Sequence, residues 1–184
     1  MSRFIPAPSV GNWNVVMLAI GLANTVTSLD AFFTRIASKP DGFDSRFTSK
    51  NASPAAIAEI LRKSTATITV HTAKARFKVL GWTNRGDHQN VYLNVRRLNR
   101  PPDDIARTLI HEWVHAVDDI HPLDFHHGSN SPKGKMNTAP YWIDGLAGEF
   151  LAKLVEGVGL SPSGVETPLH LADGDFVEPE REEE

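Results

Sequence analysis

The sequence predicts an α+β fold in which a small twisted β-sheet packs on helices, and three observations lead to this prediction. Apolar residues recur at helical spacing over residues 15–38 and again over residues 101–118. Between these segments, residues 65–71, 75–80 and 90–95 have the alternating pattern of β-strands. A last helical pattern covers residues 140–158. A run of strands placed between helices is typical of the α+β class.

The ends of the predicted helices follow from capping and helix-breaking residues. The first helix is predicted to stop at the Lys-Pro-Asp-Gly run that begins at residue 39. A second begins with Ser53 as N-cap and Pro54 in the first turn, and ends near Ser64. In the helix over residues 101–118, four apolar side chains at helical spacing are predicted to face the core, namely Ile105, Leu109, Trp113 and Val117.

Length and composition predict one domain over residues 1–160, followed by a flexible acidic tail over residues 161–184. The chain is 41% hydrophobic and 22% charged, as expected of a soluble globular protein. Its formal net charge of -3 and its pI near 6.2 give no electrostatic reason to expect nucleic-acid binding.

The compartment is left open by the sequence. Cysteine is absent, so disulfides are excluded and a reducing compartment is permitted. The apolar run over residues 15–23 lacks a basic cluster and the length of a membrane span, so it is interpreted as part of the first helix. The chain is therefore expected to be cytoplasmic, or exported without a clear signal peptide, and to have no membrane span.

A short motif in the helix over residues 101–118 points to chemistry. Residues 111–115 are His-Glu-Trp-Val-His. Side chains four residues apart lie on one helix face, so both imidazoles can bind one metal ion at about 2.0 to 2.1 Å. In the H-E-x-x-H arrangement the glutamate, here Glu112, is the general base that takes a proton from a water whose pKa the metal lowers to roughly 7. The motif therefore predicts a hydrolase with one zinc ion per chain.

The third zinc ligand stays open, because the next residues offer several candidates. A catalytic zinc usually takes three protein ligands and keeps a fourth position for water. His121 stands where the metzincin pattern H-E-x-x-H-x-x-G-x-x-H has its third histidine. The glycine of that pattern is Asp118 here, and aspartate tolerates a left-handed backbone less well than glycine does.

A second pattern in this region resembles the aspzincin family, which includes deuterolysin-like and lysine-specific metalloendopeptidases. The run Asp-Phe-His-His-Gly from Asp124 is similar to the family's D-x-x-Y-G, with His127 in the position of the tyrosine. Residues 137–142, Asn-Thr-Ala-Pro-Tyr-Trp, resemble the family's later Asn-Ala-Asp-x-Tyr element. The resemblance covers residues 108–150 and implies a zincin-like fold, with the H-E-x-x-H helix among the helices that pack on the sheet.

Carried over by position, the resemblance implies the site residues. The zinc ligands would be His111, His115 and Asp124, with His121 as the alternative third ligand. Glu112 would again be the base. His127 would stabilise the oxyanion with a ring N–H, as the family's tyrosine does with its hydroxyl.

The substrate pocket implied by the resemblance lies in residues 139–142. Ala139 and Trp142 stand where lysine-specific relatives carry carboxylates that receive the lysine ammonium, and Tyr141 completes the segment. An apolar pocket cannot compensate a buried ammonium. Lysine is therefore not the residue that we expect this pocket to prefer.

The predicted function is zinc-dependent endopeptidase activity on a protein or peptide substrate. Extended substrate is expected to pair with an edge strand, for which residues 91–95 and 68–72 are the candidates. One alternative is a narrow-specificity peptidase that acts as a toxin or effector. Another is a non-catalytic, zinc-stabilised binding module, in which a fourth ligand would fill the open position. The oligomeric state is left open.

Overall fold

The computed structural model describes residues 3–11, 13–84, 86–121, 123–127 and 133–157. In chain order its strands are β1 (Phe4–Pro6), β2 (Ile68–Ala73), β3 (Gly81–Asn84) and β4 (Asp87–Asn94). Its α-helices are α1 (Asn14–Val26), α2 (Asp30–Ala37), α3 (Pro54–Lys63), α4 (Pro102–Ile120) and α5 (Ala139–Gly157). Short 3-10 turns follow β1 and β4, at Pro8–Val10 and Val95–Arg97. The α+β class is confirmed.

The four strands form one mixed sheet in the order β1-β2-β4-β3. β1 and β4 both run parallel to β2, whereas β3 runs antiparallel to β4. β2 and β4 are therefore interior strands, and the prediction of residues 68–72 or 91–95 as the edge was wrong. The outer positions belong to β1, whose three residues are too few to show a strand pattern, and to β3, which folds back on β4.

The core lies between one face of the sheet and the helices. Ile68 and Val70 of β2 and Val91 and Leu93 of β4 are fully buried. The four α4 side chains predicted to face the core are at most 1% exposed, as the helical pattern indicated. α1 also packs against α4, and the Phe4 ring of β1 meets the Trp113 ring of α4 edge-on at 6.5 Å between centroids. One face of α4 is thereby fixed against the sheet.

A glycine brings β3 close to α4. A Cβ built on Gly81 would lie 2.9 Å from Thr108 Cγ2 and 3.1 Å from the Tyr92 carbonyl oxygen. A contact of 2.9 Å is closer than real Cβ atoms come, so any side chain here would force the strand or Thr108 to shift, and glycine avoids that shift. This close approach matters for the site, because the next residues of β3 lie beside the H-E-x-x-H segment.

The N-terminal helical segment differs from the prediction. A single helix over residues 15–38 was expected, but the structure has α1 and α2 with a bend of 65° between them. Thr27 hydrogen-bonds through Oγ1 to the Ala23 carbonyl at 2.8 Å where α1 ends, and Asp30 begins α2. Side-chain bonds of this kind compete with helix continuation.

No helix of the described residues is by itself long and apolar enough to cross a membrane; the bent pair of α1 and α2 satisfies the criterion of length and composition only when taken together.

The remaining elements follow the prediction more closely. Ser53 caps α3 by accepting a hydrogen bond from the Ala56 N–H at 3.2 Å. The segment 75–80, predicted as a strand, forms a turn, and β3 begins at Gly81 instead. The proposed tail over residues 161–184 and the domain boundary at residue 160 lie outside the described residues.

Candidate metal centre

Two of the site's histidines come from α4. The helix starts with Pro102 in its first turn, followed by Asp103 and Asp104, whose charges favour the positive end of the helix dipole. His111 and His115 lie one turn apart further along, with ring centroids 5.0 Å from each other. Both are half-buried. The helical spacing therefore brings the two rings together, as the motif predicted.

The third imidazole of the cluster is His127. Its Nε2 lies 2.8 Å from His115 Nε2 and 3.3 Å from His111 Nε2. One ligand atom from each of the three histidines lies within 4.8 Å of the other two. Nitrogens at two corners of a zinc tetrahedron are separated by about 3.3 Å. The three rings are thus close enough to bind one metal ion.

His127 reaches the cluster because side chains alternate in the extended segment after α4. Phe125 is fully buried and His127 is 5% exposed. Asp124 precedes Phe125 in the chain and faces outward, with its side chain 64% exposed. Two hydrogen bonds, one between backbone groups and one from the backbone to a side chain, fix this register. The Ser49 N–H donates to the Asp124 carbonyl at 2.7 Å, and the Phe125 N–H donates to Asp118 Oδ1 at 2.7 Å.

The two predicted third ligands therefore lie elsewhere. The Asp124 carboxylate is 3.3 Å from His126 Nε2 and is not part of the histidine cluster. His121 follows the last residue of α4, where its Nδ1 accepts a hydrogen bond from the Leu123 N–H at 3.3 Å. The structure therefore brings neither Asp124 nor His121 to His111 and His115, and the third residue of the cluster is His127, which was predicted to stabilise the oxyanion.

Asp118 positions the segment that carries His127. Its side chain is 8% exposed, and its carboxylate is the acceptor for the buried Phe125 N–H. We expect Asp118→Ala to lower the free energy of unfolding of the metal-free protein by about 1–3 kcal/mol, because a buried donor loses its partner. Asp118→Asn keeps an oxygen acceptor and should lose less. Denaturant unfolding of the three proteins measures the difference.

The pH dependence of stability gives a second readout on the same variants. Burial raises the pKa of Asp118 to about 6, from an ordinary value of 3.8. The folded state therefore binds this proton more tightly than the unfolded state, so the free energy of unfolding falls as the pH rises between these two values. Asp118→Asn should remove the contribution of this carboxyl group to the decrease in the free energy of unfolding. An asparagine variant as unstable as the alanine variant would contradict the positioning role.

Burial keeps the histidines of α4 in the neutral form that binds metals. It lowers the pKa of His111 to about 3 and the pKa of His115 well below its usual value, and the neighbouring imidazoles act in the same direction. The Pro140 carbonyl accepts a hydrogen bond from the His111 ring, whose Nε2 faces His127. Such a bond fixes the tautomer and leaves the other ring nitrogen available as a ligand.

Glu112 lies on α4 between the two histidines and is 2% exposed. Burial raises its pKa to about 8, although hydrogen bonds from the Thr83 side chain and backbone lower the pKa. Thr83 Oγ1 lies 3.4 Å from Glu112 Oε2. The edge strand β3 thus touches the predicted base directly. A cation held by the adjacent histidines would favour the carboxylate and oppose the effect of burial.

The N-terminal turn of α5 closes the other side of the cluster. The Tyr141 ring lies 4.8 Å from the His111 ring and 4.9 Å from the His127 ring, measured between centroids. Ala139 is fully buried, so it does not line an open pocket. Trp142 packs against the Phe43 ring at 5.9 Å. Of the three predicted pocket residues, the structure therefore brings only Tyr141 to the histidines.

A partly buried ion pair ties α4 to α5 one turn before His111. Arg107 Nε donates to Asp144 Oδ1 at 2.8 Å, and the Asp144 side chain is 12% exposed. Burial raises the pKa of Asp144, while the guanidinium opposes this effect. The pair holds the two helices that supply His111 and Tyr141 in a fixed relation.

Three residues of the site were missed in the sequence. Thr83 and Pro140 contact Glu112 and His111 from elements far away in the chain, and nothing in their local sequence marks them. Asp118 did carry a signal, since it replaces the glycine of the metzincin pattern. A buried carboxylate that holds the following loop explains why an acidic residue stands there.

Comparison of the chain with protein-family models, with curated proteins and with solved structures finds no match. Its function has to be inferred from the geometry of the site itself.

Proposed function

We propose that this chain is a zinc-dependent endopeptidase whose metal ligands are His111, His115 and His127 and whose general base is Glu112. The observation that carries the proposal is the convergence of the three imidazoles, one of them distant in sequence, around the H-E-x-x-H turn. Two histidines one turn apart are common on helices. A third that meets them with its ring nitrogen is the arrangement of a metal site.

The donor set favours zinc over harder cations. Imidazole nitrogen suits zinc and its neighbours among the transition metals, whereas calcium and magnesium prefer oxygen ligands. Three histidines also match the ligand set of one class of catalytic zinc sites, which keep one position for water or substrate. Within the described part of the chain, no fourth histidine or carboxylate joins the cluster. This counts against a closed site in a non-catalytic binding module.

The residues around the cluster can perform the steps of peptide hydrolysis. A zinc ion held there would polarise the scissile carbonyl and lower the pKa of a water to roughly 7. Glu112 is placed to accept the proton of the attacking water and to return it to the leaving amine. The Tyr141 ring contacts the rings of His111 and His127. We therefore assign to Tyr141 the stabilisation of the oxyanion that was first predicted for His127.

The strand β3 is our candidate for substrate binding. It is the outer strand on this side of the sheet, and no strand of the described residues pairs with its outer edge. Extended peptides bind such edges through main-chain hydrogen bonds. Because Thr83 of this strand touches Glu112, a peptide paired there would pass the base.

Removal and return of the metal test the proposal. We expect one zinc ion per purified chain, measured by elemental analysis, and cleavage of an unfolded protein such as casein. A chelator should abolish the cleavage, and zinc should restore it where magnesium does not, because the site has nitrogen donors. Cleavage that persists in metal-free protein, or zinc-loaded protein that cleaves no peptide, would contradict the proposed function.

A further inference from the structure

We propose that a basic surface leading into β3 binds an acidic segment of the substrate. The basic turn is defined as residues 74–78 together with Arg96 and Arg97. The inference rests on the proposed peptidase function and adds a substrate class to it, namely chains with acidic side chains on one side of the bond that is cleaved.

Cations dominate this part of the molecule. Residues 60–102 contain nine arginines and lysines, with Asp87 as their only acidic residue. The Asp87 carboxylate lies at the start of β4, away from the turn, and accepts a hydrogen bond from Asn90 at 2.7 Å. Residues 1–157 hold eighteen basic and fourteen acidic side chains, whereas residues 158–184 hold one and eight. The net charge of -3 therefore conceals an excess of cations outside the last 27 residues.

A buried asparagine holds the basic turn in one shape. Asn94 is fully buried, and its side-chain oxygen accepts from the Ala75 and Arg96 N–H groups at 3.2 and 3.1 Å. Its side-chain nitrogen donates to the Arg76 and Val79 carbonyls, both at 2.8 Å. One carboxamide thus joins the turn to the segment after β4. The cations from both segments are brought to one place, and the backbone that carries them is ordered before a ligand binds.

An exposed aromatic ring stands in the middle of these cations. Phe77 is 64% exposed and follows Arg76 in the tight turn closed by the Val79 N–H and the Arg76 carbonyl at 3.1 Å. The Arg97 guanidinium lies 4.8 Å from the centre of its ring. Lys74, Arg76 and Arg96 are exposed around it. The surface therefore offers apolar contact and positive charge together, which suits a peptide with acidic and apolar side chains.

The position of the basic turn relates it to the proposed site. The basic turn ends two residues before β3, and Thr83, the third residue of β3, touches Glu112. Lys78 precedes Thr83 by five residues, a separation of about 17 Å in extended chain. A peptide that runs antiparallel to β3 would have the residues after its scissile bond at the turn. Acidic side chains about four to six residues beyond that bond would meet the cations.

This alignment with the edge strand favours a peptide over other anions. Anionic lipids and nucleic acids are also attracted to cations, but neither requires that the cations continue the line of a strand beside a metal site. An electrostatic contact of exposed groups also predicts a strong dependence on salt.

Matched peptides test the inference. Two quenched fluorescent peptides would share one cleavable core and differ only in three glutamates or three glutamines placed four to six residues after the scissile bond. We expect kcat/KM for the glutamate peptide to be about tenfold higher at low salt, mainly through KM, because each exposed ion pair contributes modestly. The preference should shrink at high salt. Equal rates for the two peptides would overturn the inference.

A matched pair of variants separates the surface from general charge effects. Replacing Lys74, Arg76 and Arg96 by glutamine should abolish the preference and leave the rate for the glutamine peptide unchanged. Replacing the exposed Lys50, Lys63 and Lys153 removes the same charge elsewhere and should keep the preference. A preference that survives the first triple variant would overturn the inference.

Binding without turnover distinguishes this inference from the proposed function. If neither peptide is cleaved, their affinities for the Glu112→Gln protein decide. If the glutamate peptide bound more tightly, and only when the basic turn was intact, the result would support binding of acidic segments by this surface and contradict the peptidase function. Equal affinities of the two peptides would overturn the proposed role of the basic turn as well. The same conclusion would follow if phosphatidylserine vesicles or duplex DNA bound through the basic turn while the protein showed no preference between the peptides.

Discussion

Replacing His127 by alanine should remove the zinc ion from the purified protein, while Asp124→Ala and His121→Ala should retain it. The reason is geometric, because His127 Nε2 lies 2.8 and 3.3 Å from the corresponding atoms of His115 and His111. The Asp124 carboxylate is exposed and lies beside His126. Loss of one of three ligands should weaken zinc binding by more than about 100-fold, since even changes in the partners of ligands cost 10 to 100-fold.

Zinc content per chain and zinc affinity in competition with a chromogenic chelator would measure this effect. The Asp124 and His121 variants are the matched controls, because each removes a potential ligand from the same loop. Activity should follow zinc content in all three variants. Zinc lost in Asp124→Ala but kept in His127→Ala would show that the loop has a different register when metal is bound, and would restore the aspzincin-like ligand set.

The second large effect is expected from Glu112→Gln, which should lower kcat by about 100 to 10,000-fold with zinc still bound. Glutamine has nearly the same shape and can still meet Thr83, but it cannot accept a proton from water. The side chain is almost fully buried beside two predicted ligands, and no other carboxylate of the described residues joins the histidine cluster.

Glu149→Gln is the matched control for this change, since Glu149 is an exposed carboxylate on α5. It should leave both zinc and rate unchanged. Rates on a quenched peptide, together with zinc content, measure the two variants. If Glu112→Gln kept near-full activity with zinc bound, Glu112 would not be the base.

The central helix was predictable from the sequence because its signals are local. Periodic apolar residues set the buried face of α4, and the spacing of His111 and His115 set the ligand face, with Glu112 beside it. These features depend only on the geometry of one helix. The final helix and the capping of α3 by Ser53 were predictable for the same reason.

The third histidine was not predictable in its role, because it depends on the register of an irregular segment. Whether Asp124 or His127 faces α4 is decided by the burial of Phe125 and by the bond from its N–H to Asp118. Both are tertiary contacts. Motif matching placed Asp124 at the metal because it compared spacing and could not include this alternation.

The edge of the sheet was missed for a related reason. β2 and β4 have the strongest strand patterns because both are buried in the interior of the sheet, which is where β-branched and apolar residues concentrate. The outer strands β1 and β3 have only three and four residues. A short strand at the edge resists unwanted pairing but leaves little pattern to recognise.

The close approach at Gly81 limits how this site could be redesigned. A side chain there would force strand β3 or Thr108 of α4 to shift, and the contact between Glu112 and Thr83, two residues on from Gly81, depends on the same packing of strand and helix. A change made to alter substrate preference at this position would therefore also disturb the carboxylate. Variants designed to change specificity would have to keep glycine at this position.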